Sequence, residues 1–209
     1  MLNEKISKLC ETLLAGAEQN ISLERKDILY DIAKVICTET IAKNEVELVY
    51  LCTHNSRRSH FAQVWGHVAS VIFGFDLNTY SGGTVATECH PNTISALRQI
   101  GFHIISDNLE QENPLYKVYY NEQDYIECYS KANTDSALPQ TDFLAIMTCS
   151  DSDDNCPLVP GAKKRFSTTY DDPKEFDGTD TAVMHYEKRS LQIAQEALYT
   201  FKKAADLRG

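Results

Sequence analysis

A polar loop at residues 52–59 combines residue types that could bind and attack an anion. It holds Cys52, five further residues, Arg58 and Ser59, between an apolar run and a stretch with helical periodicity. A loop wound over the start of a helix turns successive backbone N–H groups toward one point, where the helix dipole also favours negative charge. The Arg58 guanidinium adds a planar fork that matches two oxygens of a tetrahedral oxyanion. We therefore predict an oxyanion site in which the Cys52 thiolate is the nucleophile.

The remaining residues of the loop have supporting roles in this prediction. Ser59 is expected to donate a hydrogen bond to the thiolate, and Asn55 to hold the shape of the loop. The spacing of Cys52 and Arg58 alone also fits a buried structural cysteine beside a surface arginine, so the assignment depends on the strand before the loop and the helix after it. The predicted substrate-binding residues are Thr53, His54, Asn55, Ser56, Arg57 and Arg58.

Two more cysteines and an acidic turn follow later apolar runs. Cys149 and Cys156 flank the acidic segment 150–155. Six intervening residues are too many for a C-x-x-C zinc knuckle and no second ligand pair follows, so no metal site is predicted. The turn Asp171-Asp172-Pro173 offers a carboxyl group for general acid catalysis. Incidental cysteines in an acidic loop and a plain surface turn are the alternatives.

The elements around these loops alternate between strands and helices. Short apolar runs predict strands at residues 46–51, 77–81 and 143–148, and residues 165–169 predict a fourth strand at the sheet edge. Helical periodicity follows the first two strands, and a long helix ends the chain. The pattern indicates an α/β chain, a three-layer sandwich around a four-stranded, mostly parallel sheet. Because ligands bind at the carboxyl ends of parallel strands, we expect the polar loops to meet there.

Residues 1–44 and 112–132 interrupt this alternation. The first segment has two stretches of helical periodicity and is predicted to be an N-terminal extension that packs on the main domain or on a second subunit. The catalytic domain is predicted to span residues 45–209, with an inserted β-hairpin near residues 112–132 that is rich in aromatic and β-branched residues. An oligomer formed through the N-terminal helices is left open.

Composition and charge narrow the class of protein. The chain has 209 residues, a formal net charge of −10 and seven cysteines. The acidic balance argues against a nucleic-acid-binding protein, which needs clustered lysine and arginine. The odd cysteine count, together with the lack of an apolar signal-peptide core or an 18-residue apolar run, predicts a cytoplasmic protein that does not bind membranes. Cysteines that match no motif, and are expected to be buried or idle, are Cys10, Cys37, Cys89 and Cys128.

Taken together, the motifs resemble those of the low-molecular-weight protein tyrosine phosphatases. Within that fold they are most similar to the thioredoxin-coupled arsenate reductases. The resemblance runs from about residue 46 to the last helix and leaves out the N-terminal helices and residues 110–140. Its segments are the loop at 52–59, TYSGG at 79–83, HPNTISALRQIGFHI at 90–104, CSDSDDNCP at 149–157, AKKRF at 162–166 and YDDP at 170–173.

The resemblance implies a three-cysteine relay that needs no bound cofactor. Cys52 attacks arsenate, Cys149 attacks Cys52 and expels arsenite, and Cys156 attacks Cys149 to leave a Cys149–Cys156 disulfide that thioredoxin reduces. Asp172, which precedes the proline, would be the general acid, with Asp171 a solvated neighbour. The implied function is cytoplasmic reduction of arsenate to arsenite, with arsenate or phosphate as ligand and thioredoxin as partner.

Three departures from the family pattern concern the loop. His54 stands where the loop usually has a small glycine, and it is expected to face outward. Arg57 replaces a frequent second loop cysteine. The potassium site known in some of these reductases would use Asn55 and Ser81, but its glutamate position is Gln63 here, which argues against potassium dependence.

Two other functions stay open. The first is a low-molecular-weight phosphatase that hydrolyses phosphomonoesters through a Cys52 phosphocysteine. Lys174 and Glu175 stand where phosphatases place aromatic residues that grip phosphotyrosine, which favours a small inorganic anion instead. The second is a non-catalytic sensor of oxyanions or arsenicals that uses the N-terminal helices as an interaction arm.

Overall fold

A parallel sheet of four strands forms the centre of the protein. We describe residues 2–42, 46–155 and 158–209 of a computed structural model of the chain. The strands are β1 (Glu47–Cys52), β2 (Asn78–Gly83), β3 (His103–Ile105), β4 (Tyr116–Tyr119), β5 (Tyr125–Cys128), β6 (Phe143–Met147) and β7 (Ala162–Ser167). The central sheet has the order β2-β1-β6-β7, and each neighbouring pair in it is parallel. The predicted α/β class and four-stranded sheet are confirmed.

Helices pack around this sheet, most of them on one face. They are α1 (Glu4–Asn20), α2 (Leu23–Ala42), α3 (Arg58–Phe73), α4 (Pro91–Ile100), α5 (Ser150–Asn155) and α6 (Ala182–Arg208), with a 3-10 helix at Pro173–Phe176. Helix α3 packs on β1 and β2, while α1, α2, α3 and α4 all pack against α6. The indole N–H of Trp65, on α3, donates to Ser190 Oγ on α6 at 2.9 Å. Short helix α5 and the loops near residues 133–140 and 158–160 lie on the opposite face.

Strand β1 is buried on both faces, as its unbroken apolar run predicts. Leu48 and Tyr50 belong to the large core beneath the helices. Val49 and Leu51 point the other way, into a smaller cluster with Phe143 and its neighbours on β6. This burial fixes the register of β1, and a one-residue slip would move every apolar side chain to the wrong face. The loop that follows β1 therefore starts at a position fixed by this register.

The N-terminal helices are part of the main core. Ile6 on α1 and Ile32 and Ile36 on α2 are buried in the same cluster as Trp65. The boundary expected between residues 44 and 45 lies outside the described residues, because the structure describes nothing at 43–45. The division into an extension and a catalytic domain therefore stays a prediction.

A small antiparallel sheet with the order β3-β4-β5 occupies the segment after α4. Strands β4 and β5 form a hairpin whose turn is closed by Asn121 Oδ1, which accepts hydrogen bonds from the backbone N–H groups of Gln123 at 2.8 Å and Asp124 at 2.6 Å. Sequence analysis did not predict β3, because a strand of three residues is too short to display alternation.

Strands β7 and β2 differ from their expected bounds by two residues or more at one end or both, while β1 and β6 differ by at most one residue. Strand β7 begins at Ala162 rather than 165, because exposed Lys163 and Lys164 hide the start of an edge strand in the apolar pattern. Strand β2 continues through Gly83 instead of ending at the glycine pair. A Cβ on Gly83 would lie 2.7 Å from Asn55 N and 2.8 Å from Thr53 O, so glycine is needed there for the 52–59 loop to approach β2. None of the described helices is long and apolar enough to cross a membrane.

Candidate active site

The sulfur of Cys52 lies at the end of β1, held by two groups of the loop that follows. The backbone N–H of Asn55 donates to Cys52 Sγ at 3.1 Å, and Ser59 Oγ lies 3.0 Å from the same sulfur. Asn55 Nδ2 also donates to Ser59 Oγ at 2.9 Å. Because that contact uses Ser59 as an acceptor, the Ser59 hydroxyl proton is free to point at the sulfur. The arrangement is suited to a thiolate, which gains from two donors.

Asn55 adopts the backbone conformation in this loop that most residues avoid. It is fully buried and has φ of 44°, in the left-handed region that asparagine tolerates better than most residues. Its Oδ1 accepts a hydrogen bond of 2.7 Å from the backbone N–H of Lys131, which ties the loop to the end of the β4–β5 insertion. His54, by contrast, is exposed and has a negative φ. The left-handed backbone conformation of the loop is therefore at Asn55 and not at His54, where the family usually has glycine.

Arg58 faces the acidic turn after β7. Its Nη2 lies 2.7 Å from Asp172 Oδ2, and its Nη1 donates to the carbonyl of Tyr170 at 2.7 Å. Asp172 Oδ1 accepts from the backbone N–H of Lys174 at 3.1 Å and so caps the 3-10 helix that begins at Pro173. Asp171 points outward and pairs with Arg189 on α6 at 3.0 Å. Of the two adjacent carboxyl groups, Asp172 is the one placed at Arg58.

Cys52, Arg58 and Asp172 line one small pocket. The helix start at Arg58 favours negative charge there, as binding of an oxyanion requires. The side chain of Asn55 points away from the pocket. The pocket-lining residues are Cys52, Thr53, His54, Ser56, Arg57, Arg58 and Asp172.

Arg57 turns its side chain toward α6. Its Nε donates to the Tyr186 hydroxyl at 2.6 Å, and its Nη2 lies 3.1 Å from Asp177 Oδ2. Tyr186 in turn donates to Asp177 Oδ1 at 2.7 Å. Burial opposes ionisation of Asp177, but the Tyr186 hydrogen bond and nearby His90 and Arg57 outweigh it and lower the pKa of Asp177. The second arginine of the loop thus anchors the loop more than it lines the pocket.

Cys149 lies next to the same loop because β6 is the neighbour of β1. Leu51 on β1 pairs with Met147 on β6. Thr53 and Cys149 each lie two residues beyond that pair, and Cys149 Sγ is 3.4 Å from Thr53 Oγ1. Cys149 is fully buried, and its sulfur accepts from the backbone N–H of Ser152 at 3.4 Å. Cys156 lies outside the described residues.

Helix α5, which follows Cys149, is tied to the edge strand. Asp153 Oδ2 accepts a hydrogen bond of 2.6 Å from Ser167 Oγ, and Asp153 also pairs with Arg165.

Comparisons with known proteins place the chain in a family. No protein-family model matches the chain. The arsenate reductase of Halalkalibacterium halodurans is 30% identical over 140 residues, which are 66% of this chain and 81% of that protein. The arsenate reductase of Bacillus licheniformis is 31% identical over 159 residues, which are 76% of this chain and 96% of that protein. The chain belongs to the arsenate reductase family.

Solved structures give the fold of this family member. A mutant of YwlE from Bacillus subtilis superposes with a TM-score of 0.52 at 14% identity, covering 78% of this chain and 99% of that one. A low-molecular-weight protein tyrosine phosphatase from T. tengcongensis gives a TM-score of 0.50 at 16% identity, covering 76% and 99%. The protein is therefore an arsenate reductase family enzyme with the low-molecular-weight phosphatase fold. This speaks against the non-catalytic sensor.

The four cysteines of this family member that match no motif are buried. Burial raises the pKa of Cys10 and of Cys128 to about 12 in each case, and it raises that of Cys89 well above its usual range. Thiols in such surroundings are poor nucleophiles. Cys37 is buried on α2. Among the described residues, no group of three or more histidine, cysteine or acidic side chains is placed to hold a metal ion.

The residues that would hold potassium in this family member do not fit the ion. Asn55 Oδ1 is bonded to Lys131 N, and Ser81 Oγ donates to Gln63 Oε1 at 2.6 Å and lies 3.1 Å from His60 Nδ1. Burial lowers the pKa of His60 to about 3, and the ammonium of Lys131 adds to the effect. The buried Lys131 ammonium, which also acts on His60, opposes a second cation beside these neutral side chains.

Several residues orient the side chains of this site although the sequence does not predict that role for them. The carbonyl of Tyr170 orients Arg58, Tyr186 and Asp177 hold Arg57, and Lys131 holds Asn55. Tyr170 is adjacent to the acidic turn and could have been suspected on that ground. The others are distant in sequence and belong to no motif.

Proposed function

We propose that this chain reduces arsenate to arsenite through a relay of Cys52, Cys149 and Cys156, with a thioredoxin-type dithiol protein of the cytoplasm as the external reductant. The observation that carries the proposal is the place of Cys149, whose sulfur lies 3.4 Å from Thr53 Oγ1, the residue next to Cys52. Phosphatase chemistry through a phosphocysteine needs only one thiol and does not require a second one at this position. The curated relatives named arsenate reductase support the same choice.

The first step forms a bond between sulfur and arsenic. The Cys52 thiolate, held by Asn55 N–H and Ser59, attacks the arsenic of arsenate, which the loop N–H groups and Arg58 bind. One oxygen leaves with its electron pair and takes the Asp172 proton, so that water is released. The Arg58–Asp172 contact of 2.7 Å places that carboxyl group at the pocket. Arsenic remains pentavalent in the resulting thiol adduct.

The second and third steps move electrons between sulfurs. The Cys149 thiolate attacks Cys52 Sγ, the sulfur–arsenic bond breaks, and its electron pair leaves with arsenic as arsenite while a Cys52–Cys149 disulfide forms. The Cys156 thiolate then attacks Cys149, which frees Cys52 and leaves a Cys149–Cys156 disulfide. A dithiol protein reduces that bond in two further exchanges and is itself oxidised to a disulfide.

Arsenate turnover coupled to thioredoxin, thioredoxin reductase and NADPH tests the relay. Cys149→Ser and Cys156→Ser should both lose arsenate-dependent NADPH oxidation, while Cys10→Ala, which removes a buried thiol on α1, should keep it. Hydrolysis of p-nitrophenyl phosphate reports whether the loop of each variant is intact. Serine variants that reduce arsenate as fast as the wild type would contradict the relay.

Phosphatase chemistry is the second candidate. Cys52, Arg58 and Asp172 line one pocket, and Ser59 Oγ lies 3.0 Å from the Cys52 sulfur. Transfer of a phosphoryl group through a phosphocysteine would use these four residues and would not need Cys149. Normal hydrolysis of p-nitrophenyl phosphate by the wild type and both serine variants, with no arsenate reduction by the wild type, would favour this function.

A further inference from the structure

We infer that Arg25, on helix α2, is a positioning residue for the oxyanion site. The inference rests on the proposed binding of an oxyanion by Arg58, and it gives the N-terminal helices a part in that binding. Both arginines contact one short segment, residues 169–172. Arg25 holds the segment from the helix layer, and the segment in turn fixes the direction of the Arg58 guanidinium.

Arg25 contacts the segment in two ways. Its Nη2 donates to the carbonyl of Thr169 at 3.2 Å, and its guanidinium carbon lies 4.8 Å from the centre of the Tyr170 ring. Its Nε donates to Glu196 Oε2 on α6 at 2.8 Å. One planar group therefore joins α2, α6 and the segment, which a lysine ammonium cannot do because it is a point charge without a stacking face.

The same carboxylate binds the tyrosine. The Tyr170 hydroxyl donates to Glu196 Oε2 at 2.8 Å, so Arg25, Tyr170 and Glu196 form a closed triangle. The cluster is buried: the Glu196 side chain is 6% exposed and that of Arg25 is 17% exposed. Burial raises the pKa of Tyr170, which keeps the hydroxyl protonated as a donor. A buried ion pair with its remaining contacts satisfied holds one geometry, since each alternative leaves a charge unpaired.

Residues 170 and 172 of the segment contact Arg58 and so connect this cluster to the oxyanion site. The Tyr170 carbonyl accepts from Arg58 Nη1 at 2.7 Å, and two residues later Asp172 contacts Arg58 Nη2 at 2.7 Å. Both terminal nitrogens of the Arg58 fork are thus oriented by the backbone that Arg25 clamps. Because bidentate binding needs the fork at the correct angle, a shift of the segment lowers oxyanion affinity even though Arg25 never touches the anion.

A contact between α2 and β7 offers a matched control. Lys163 Nζ lies 2.5 Å from Glu39 Oε2 near the other end of α2, and Lys163 is at the start of β7, six residues before Thr169. Glu39→Gln weakens the docking of the same helix on the strand that leads into the 169–172 segment. It should leave oxyanion binding unchanged if the role of Arg25 is specific.

Protection of Cys52 from iodoacetamide by arsenate or phosphate, followed on the Cys52 peptide by mass spectrometry, measures oxyanion affinity without turnover. Arg25→Lys keeps the charge opposite Glu196, and the double variant Arg25→Met/Glu196→Gln removes both charges. We expect affinity to fall about threefold to tenfold in each. The alkylation rate without anion should stay within about twofold of wild type, because Asn55 and Ser59 hold the sulfur independently of Tyr170.

The outcomes separate this inference from the proposed function. A wild type that neither anion protects would contradict oxyanion binding itself. A protected wild type with equal affinity in Arg25→Lys, or an equal loss in Glu39→Gln, would overturn the positioning role alone. Circular dichroism checks the fold of each variant. Should the double variant fail to fold, Arg25→Lys decides.

Discussion

Replacing Asn55 by alanine should destabilise the fold and disorganise the anion loop together. The change leaves the backbone N–H of Lys131 buried without its 2.7 Å acceptor, which costs about 1 to 3 kcal/mol. It also places an alanine at φ of 44°, which costs roughly 1 kcal/mol more than asparagine there. The free energy of unfolding should therefore fall by about 3 kcal/mol, a large share of the roughly 5 to 15 kcal/mol of a typical domain.

Asn55→Gly separates the two contributions. Glycine adopts the positive φ without strain but cannot accept from Lys131, so it should lose about 1 kcal/mol less than alanine. His54→Ala is the matched control, since His54 is an exposed neighbour in the same loop with negative φ. A surface change of this kind should cost less than about 0.5 kcal/mol.

Urea unfolding under reducing conditions measures these differences. The single tryptophan, Trp65, is fully buried and reports loss of the core by fluorescence. With a slope of about 2 kcal/mol/M, Asn55→Ala should lower the midpoint by about 1.5 M and Asn55→Gly by about 1 M. An Asn55→Ala midpoint no lower than that of His54→Ala, or a glycine variant less stable than the alanine variant, would refute the reasoning.

Two further predictions concern protonation. Asp172→Asn should lower kcat for hydrolysis of phenyl phosphate about 100-fold, because the amide cannot protonate the leaving oxygen, while phosphate affinity changes only a few-fold. An unchanged kcat in steady-state kinetics would argue against Asp172 as the general acid. Burial lowers the pKa of His60 to about 3, below its unfolded value near 6.5. Because the folded chain binds this proton more weakly than the unfolded chain, the free energy of unfolding should fall as pH drops from about 6.5 toward 3. His60→Gln should flatten that slope in urea titrations at about pH 7, 6 and 5, and an unaltered slope would count against the assignment.

The sequence was most informative where residues that act together are adjacent or end neighbouring strands. Cys52, Arg58 and Ser59 share one loop, so their proximity follows from local spacing. Cys149 could be placed near that loop once β1 and β6 were recognised as buried parallel strands, because their carboxyl ends lie side by side. Asp172 follows from the same rule at the end of β7.

Side-chain direction and distant partners could not be predicted. Nothing local says that Arg57 turns toward Tyr186 and Asp177, or that the left-handed residue is Asn55 rather than His54. Both depend on packing between segments far apart in the chain. Lys131 follows the inserted hairpin, and its backbone N–H donates to Asn55 Oδ1. A backbone group carries no signal in the sequence.

The most direct test of the relay is a single turnover with arsenate and no reductant, followed by arsenite determination and disulfide mapping. The wild type should release about one arsenite per chain and end with a Cys149–Cys156 disulfide. Cys156→Ser should also release about one arsenite but stop at a Cys52–Cys149 disulfide, and Cys149→Ser should release none. Arsenite release from Cys149→Ser equal to that of the wild type would contradict the account.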